Sequence, residues 1–339
     1  MSKRLPLTLV LLLVLALALT AAGCAGGQEA GQEEEQEPET AEQEVAFPTK
    51  ELTLICPWAA GGGTDTVSRV LAKQAEQFFG KSVMVVNKTG GGGAVGHTEG
   101  MKATPDGHTV TMVTVELVIL PWVRDVPFTF EDYKPVMRVN FDPAAITVRA
   151  DAPWDTIEEF LEDAKKNPGK FRSSGTGTGG IWHMATAAVE KATGAKFTWI
   201  PSEGMAPAVT NLLGGHLEFV SGSPAEVQAQ VEAGNLKILA VMSDERVPNF
   251  PDVPTLKEKG IDVVIGAWRG LAVPKDTPDE VVKILHDNFK KAYDTKEFKE
   301  TMDKLGLGMA YLPTEEFGDF MKKSSEDFKE LTKAVGLAK

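Results

Sequence analysis

Three times in this 339-residue chain a short apolar run passes through a glycine-rich turn into a helical stretch: "ELTLIC" into "PWAAGGGTD", "SVMVVN" into "KTGGGGAVG", and "KFRSS" into "GTGTGG". Short β-rich runs bounded by such turns read as strands, and Val67, Val70, Leu71, Ala75, Phe78 and Phe79 then recur at helical spacing. "HTVTMVTV" is a further strand. Strands alternating with helices predict an α/β fold with mainly parallel sheets.

A second unit with the same alternation starts near "AAITVRA". Thr156 and Glu159 have the spacing of a capping box for a helix ending at "NPG". Ile181 to Ala192 reads as a helix ending at Gly194. "AKFTWIP", "LEFVSG" and "LKILAVMS" continue the strands, and "DVVIGAWRGLAVP" is a long extended piece. Thr277, Pro278 and Glu280 set another helix start, with proline in the first turn. The C-terminal stretch is predominantly helical.

Lys3 and Arg4 precede an apolar run from Leu5 to Ala22, followed by Gly23 and Cys24. A short positive region, an apolar stretch and small residues at its end describe a secretory signal over 1–23. "AAGC" is close to a lipobox, with Ala21 where Leu is commoner, so Cys24 is the expected lipid-bearing residue. An ordinary secretory signal and an uncleaved anchor are the alternatives. The stretch 24–46 carries eight Glu with no Lys, Arg or aromatic residue. Such a segment cannot offset its ordering entropy and is expected to form a disordered acidic tether. No other segment is apolar for the roughly 20 residues of a transmembrane helix. The chain is therefore expected outside the cytoplasm, on the periplasmic or outer face of the cell membrane, anchored through Cys24.

The formal net charge of −13 becomes −15 without Lys3 and Arg4, and −7 without the eight tether glutamates as well. An acidic balance argues against a nucleic-acid partner. Cys56 is the only cysteine beyond Cys24, which excludes a disulfide or cysteine-based metal site in 47–339. The five His are scattered, and no H-E-x-x-H, C-x-x-C or G-x-S-x-G occurs. Paired acids such as Glu158–Glu159 and Glu315–Glu316 sit at helix starts, where they complement the dipole. No enzyme, metal or cofactor is expected.

A strand–glycine turn–helix places backbone N–H groups and the positive end of a helix dipole together, which suits a phosphate or a carboxylate. Gly175, Gly177 and Gly180 fit G-x-G-x-x-G, and Glu203 follows the next strand about where a ribose-binding acid would sit. Yet that fingerprint starts in mid-chain and lacks the apolar residue usual between strand and first glycine. Export also removes the protein from its NAD pool. A nucleotide-binding oxidoreductase is thus the weaker reading.

"PWAAGGGTD", "NKTGGGGAVG", "TPDGHTV", "NPGKFRSSGTGTGG", "APAVTNLLGGHLEFV", "AGNLKILAV", "FPDVPTLKEKG" and "WRGLAVPKDTP" occur in this order. Together they resemble the substrate-binding proteins of tripartite tricarboxylate transporters, the Bug-type family, over essentially all of 47–339. The resemblance implies a type II periplasmic-binding-protein clamshell of two α/β lobes. Lobe 1 would comprise 47–143 and 269–339 and lobe 2 144–268, with crossings near Asn140–Ile146 and Val264–Gly270. It implies a monomer that closes on a small organic carboxylate of the di- or tricarboxylate class and delivers it to the large and small membrane subunits of a transporter. A ligand sensor of the same fold is the alternative.

The same resemblance sets Ala60, Gly61, Gly62, Gly63 and Thr64 against Thr176, Gly177, Thr178 and Gly179 across the cleft as carboxylate-binding groups. The loop at Gly90–Gly96 is expected to be structural. Asp65 would repel a carboxylate; it is expected to cap the following helix, and to touch a ligand only if that ligand carries an ammonium group. His183 is a candidate for ligand contact or helix-end packing. The chain departs from the family at Pro201–Gly204, where Glu203 replaces a common lysine, and at "VSGSPAEV", which lacks a common Asp-Asn pair. Ser221 and Ser223 are the expected substitute donors there. Trp58 and Trp268 could line the cleft, although aromatics in α/β proteins more often fill the core.

Overall fold

The computed structural model of the chain describes residues 46–202 and 204–339. The expected signal, Cys24, the acidic tether and Glu203 lie outside the described residues.

In chain order the first elements are β1 (Leu52–Cys56), α1 (Gly63–Phe79), β2 (Val83–Asn87), α2 (Ala94–Met101), β3 (Thr109–Thr114), α3 (Glu116–Val123) and β4 (Tyr133–Pro143). There follow β5 (Ala145–Arg149), α4 (Ile157–Lys166), β6 (Phe171–Ser174), α5 (Ile181–Thr193), β7 (Phe197–Trp199), α6 (Met205–Leu213), β8 (Phe219–Gly222), α7 (Pro224–Glu232) and β9 (Leu236–Val241). The last are β10 (Gly266–Pro274), α8 (Asp279–Asp294), α9 (Lys296–Lys304), β11 (Met309–Leu312) and α10 (Thr314–Ala334). The Thr156–Glu159 capping box starts α4 as its spacing predicts. Pro278 stands at the N-cap of α8, one position ahead of the first turn where proline was expected.

Among the described residues two sheets form, one of six strands in the order β11-β4-β10-β3-β1-β2 and one of five in the order β7-β6-β8-β5-β9. Only Ala144 separates β4 of the first sheet from β5 of the second. The return to the first sheet is made at β10, where Gly266, Ala267 and Trp268 pair with Pro143, Asp142 and Phe141. The sheets are mixed and not mainly parallel. The ladders β1–β2, β1–β3, β6–β7 and β6–β8 are parallel. Those made by β10, β11 and β5 are antiparallel. The parallel ladders belong to strand–turn–helix units, whereas the strands carrying the chain between sheets run back against their neighbours. Helix periodicity in the sequence reports the former and says nothing of the latter.

Two cores result. Leu52, Leu54, Leu71, Phe289 and Phe298, all fully buried, pack the first sheet against α1, α8 and α9. In the second, Phe160 meets Phe219 edge-on at 5.1 Å and Phe219 meets Phe197 at 4.8 Å. Because β1 and β2 are parallel neighbours, the turns that follow them emerge at one edge of the first sheet. By the same logic the turn after β6 and the start of α7 emerge at one edge of the second.

Candidate functional site

At the first turn, β1 ends at the buried Cys56 and the chain turns through Gly61, whose φ of +83° is the left-handed conformation glycine favours. Residues Ala60 to Gly63 are exposed. Gly62 is the N-cap of α1, and no side chain caps that end. A 17-residue helix thus starts, behind the exposed Ala60–Gly63 turn, with its positive dipole end and first N–H groups free of any side-chain cap among the described residues.

Asp65 does not cap α1 in the expected way. It is only 3% exposed, and it accepts from the Gly61 N–H at 2.9 Å, Arg69 Nε at 2.9 Å and Asn87 Nδ2 at 2.8 Å. Burial works against its ionisation, but the Arg69 bond, the Gly61 N–H and Asn87 outweigh that and hold its carboxyl below the ordinary value. Asp65 therefore closes the turn on itself and keeps its charge engaged there.

Beneath this turn lies a group the sequence reading missed. Arg269 donates from Nε to Thr64 Oγ1 at 2.8 Å and from Nη1 to Asn140 Oδ1 and Asp142 Oδ2. Asp142 Oδ1 in turn accepts from Asn140 Nδ2 at 3.0 Å and the Gly308 N–H at 2.9 Å. One guanidinium thereby joins the first turn of α1 to β4 and β10, the strands through which the chain passes between sheets. The available signal was a lone cation inside an apolar strand, "AWRGLAV". Trp268 takes the opposite face of β10 because side chains alternate along a strand. It is 1% exposed and packs edge-on against Phe317 and Phe320, so it fills the core under α10 and is turned from the first turn. Trp58 is half-buried, with its indole N–H on Thr114 Oγ1 at 3.4 Å.

At the turn after β6, close packing requires Gly175. A Cβ there would lie 2.5 Å from the Ser221 carbonyl oxygen and 2.6 Å from Trp182 Cβ. Gly177 and Thr178 are exposed, and Gly180 is the N-cap of the 13-residue α5, again without a side-chain cap. The Gly179 N–H donates to His183 Nδ1 at 3.1 Å, and the His183 ring stacks on Trp199 at 4.5 Å. Burial lowers the His183 pKa to about 4, so the ring is neutral near pH 7, and the bond to Nδ1 places its proton on Nε2. His183 thus holds the turn in shape. Thr176 accepts the Ser202 N–H at its carbonyl at 3.1 Å, which ties this turn to the segment leading to Glu203.

The hydroxyls of Ser174, Thr176 and Ser221 are buried without a hydrogen-bond partner among the described residues. Buried hydroxyls normally find a partner, so these three give the turn after β6 polar groups able to bond one. Ser223 behaves differently: it is the N-cap of α7, and its N–H and hydroxyl both donate to Glu226 Oε2, at 3.0 and 3.1 Å. Its hydroxyl proton is spent on Glu226.

The structure therefore shows two helix starts without a side-chain cap among the described residues, each behind a glycine turn, with buried hydroxyls beside the second. The profile of the family described as "Tripartite tricarboxylate transporter family receptor" (TctC) matches residues 67–337. The chain belongs to the TctC receptor family. A UPF0065 protein in the gbd 5' region of Cupriavidus necator is 33% identical to it over 86% of this chain and 90% of its own length. A TctC solute-binding protein from Polaromonas, of known crystal structure, is 44% identical, with a TM-score of 0.75 over 85% of this chain and all of that one. The Rhodopseudomonas palustris protein Rpa4515, solved with adipate, shares the fold at a TM-score of 0.78 and 22% identity, over 86% of this chain and 99% of its own.

Proposed function

We propose that this chain is an extracytoplasmic receptor that captures a small di- or tricarboxylate between its two glycine turns and delivers it to the membrane subunits of a tripartite transporter. The observation that carries this reading is the pair of uncapped helix starts, at Gly62 and Gly180. Each offers N–H donors to an anion without a cationic side chain in the turn itself. Rpa4515 with adipate, a protein of the same fold holding a six-carbon dicarboxylate, supports that ligand class. In this reading lobe 1 (47–143 and 269–339) and lobe 2 (144–268) close by hinge motion about β4–β5 and the start of β10. The acidic stretch 24–46 tethers them to a lipid on Cys24.

The test is a thermal-shift screen of the purified chain against di-, tri- and monocarboxylates, with NAD and nucleotides alongside. A ligand at a hundred times its Kd adds about 2.7 kcal/mol to the stability of the folded state. A shift with a di- or tricarboxylate that Gly62→Val or Gly177→Val removes is the expected result. A shift with NAD alone overturns the proposal.

A further inference from the structure

The turn between α9 and β11 is held firmly to the first sheet. The Gly306 N–H donates to the Asp303 carbonyl and the Leu307 N–H to the Met302 carbonyl, each at 2.9 Å. The Gly308 N–H reaches Asp142 Oδ1 at 2.9 Å, and the Gly308 carbonyl accepts from the Phe141 N–H at 3.0 Å. These bonds fix the turn to α9 on one side and to β4 on the other.

Across from it the same turn touches elements of the second sheet, and that contact is built differently. Gly306 has a φ of +64°, the left-handed conformation. A Cβ there would lie 2.6 Å from Gln228 Oε1, 3.1 Å from Asn249 Nδ2 and 3.7 Å from Ala225 Cβ. Ala225 and Gln228 stand on α7, and Asn249 follows β9. Among the described residues, the only hydrogen bond from α7 or the segment after β9 to α9 or this turn is a long one. Asn249 Nδ2 donates to the Asp303 carbonyl at 3.4 Å, in an exposed position. No ion pair joins these elements among the described residues. A glycine, a methyl group and the ends of two amide side chains bury little apolar surface, so this contact opens at small cost while the turn itself stays intact.

The contact also stands off the axis of any hinge motion. Gln228 lies about 7 Å along α7 from Ser223, at 1.5 Å per residue, and Ser223 directly follows β8, which pairs with β5 beside the passage between sheets. Rotation about β4–β5 and the start of β10 therefore displaces Gln228 from Gly306 and does not merely turn it in place.

We propose that this contact is a seam between the lobes, shut when the cleft is closed on a ligand and parted when the cleft opens. Ala225, Gln228, Asn249 and Gly306 are then positioning residues that set the rate of ligand release. This rests on the proposed function and deepens it: capture belongs to the two glycine turns, and the timing of release belongs to the seam.

The test is a reversible lock, Gly306→Cys with Ala225→Cys in the full chain. The two Cβ positions are 3.7 Å apart, within the span of about 3.5–4.5 Å that a disulfide requires. Oxidation should form the bridge and a reductant remove it. Release of adipate or citrate, whichever binds, is followed by stopped-flow tryptophan fluorescence. The bridged form should release it about tenfold more slowly or worse, with the wild-type rate restored on reduction. Small-angle scattering without ligand should give the bridged form a smaller radius of gyration than the reduced form. A bridge that changes neither the rate nor the radius shows a contact that never parts, and overturns the seam. A folded double variant that forms no bridge overturns it too. Gln228→Ala with Asn249→Ala tests the same seam without new cysteines. Release should quicken about two- to tenfold, the worth of one hydrogen bond, with the ligand-free Tm unchanged; an unchanged release rate refutes the proposal. If no carboxylate binds, the proposed function fails, and the radii of the ligand-free bridged and reduced forms still decide whether the seam parts.

Discussion

Replacing Arg269 by Met tests whether one buried ion pair holds the first glycine turn to the strands that join the sheets. The side chains of Arg269 and Asp142 are 11% and 3% exposed. Removing one partner of a buried pair costs about 3–5 kcal/mol, because the remaining charge is left uncompensated. Asp142 would keep the Asn140 amide at 3.0 Å and the Gly308 N–H at 2.9 Å, so the expected loss is at the lower end, about 3 kcal/mol. Thr64 and Asn140 lose their donor as well, which loosens the start of α1. Urea unfolding followed by tryptophan fluorescence measures the loss. The double variant Arg269→Met/Asp142→Asn should recover most of it, since two uncharged residues leave no orphaned charge. A loss under about 1 kcal/mol for the single variant, or a double variant no better than the two singles added, refutes the reasoning.

Gly175→Ala sets a Cβ 2.5 Å from the Ser221 carbonyl oxygen and should cost about 1–3 kcal/mol while abolishing the carboxylate thermal shift; an unaltered Tm would show that the turn has room. Asp65→Ala removes the acceptor of three hydrogen bonds and should destabilise by about 1–3 kcal/mol and weaken carboxylate binding, with a normal Kd counting against a preorganised turn. His97 is fully buried and its pKa is lowered to about 4 from 6.5 by burial. Between those values the unfolded chain takes up the proton and the folded chain does not. Stability should therefore decline as pH falls from about 6.5 to 4, by on the order of 3 kcal/mol from this group; a flat urea midpoint over that window excludes a neutral buried ring. Cys24→Ser should release the chain from the membrane fraction, and retention there would count against the lipid anchor.

The strand–turn–helix units were legible because glycine, apolar periodicity and caps are local signals; the Thr156–Glu159 box is read from two residues alone. The antiparallel strands β4, β5 and β10 were not legible as such, because an apolar run carries no mark of its direction. The same limit hid Arg269. Its place beneath Thr64 depends on pairing between β10 and β4, more than a hundred residues apart in sequence, and on alternation that sends Trp268 to the other face. Asp65 was read as a helix-capping acid by its position, yet Arg69 and Asn87 draw its carboxylate back toward Gly61, and only Arg69 is near enough in sequence to have suggested it.

A receptor that hands its ligand on must bind well enough to capture and still let go. On the proposed function, backbone N–H groups at two helix starts meet that need differently from a fixed cation, because each lobe supplies its own set of donors. On the proposed function, separation of the lobes withdraws one set of donors in a single motion, and what remains is one glycine turn in contact with water, where such interactions are weak. Asp65 and His183 then have complementary duties. Each fixes the shape of a turn through one of that turn's own N–H groups, Gly61 or Gly179, so that little order has to be gained when the ligand arrives. Neither adds positive charge, since Asp65 is held ionised and His183 neutral.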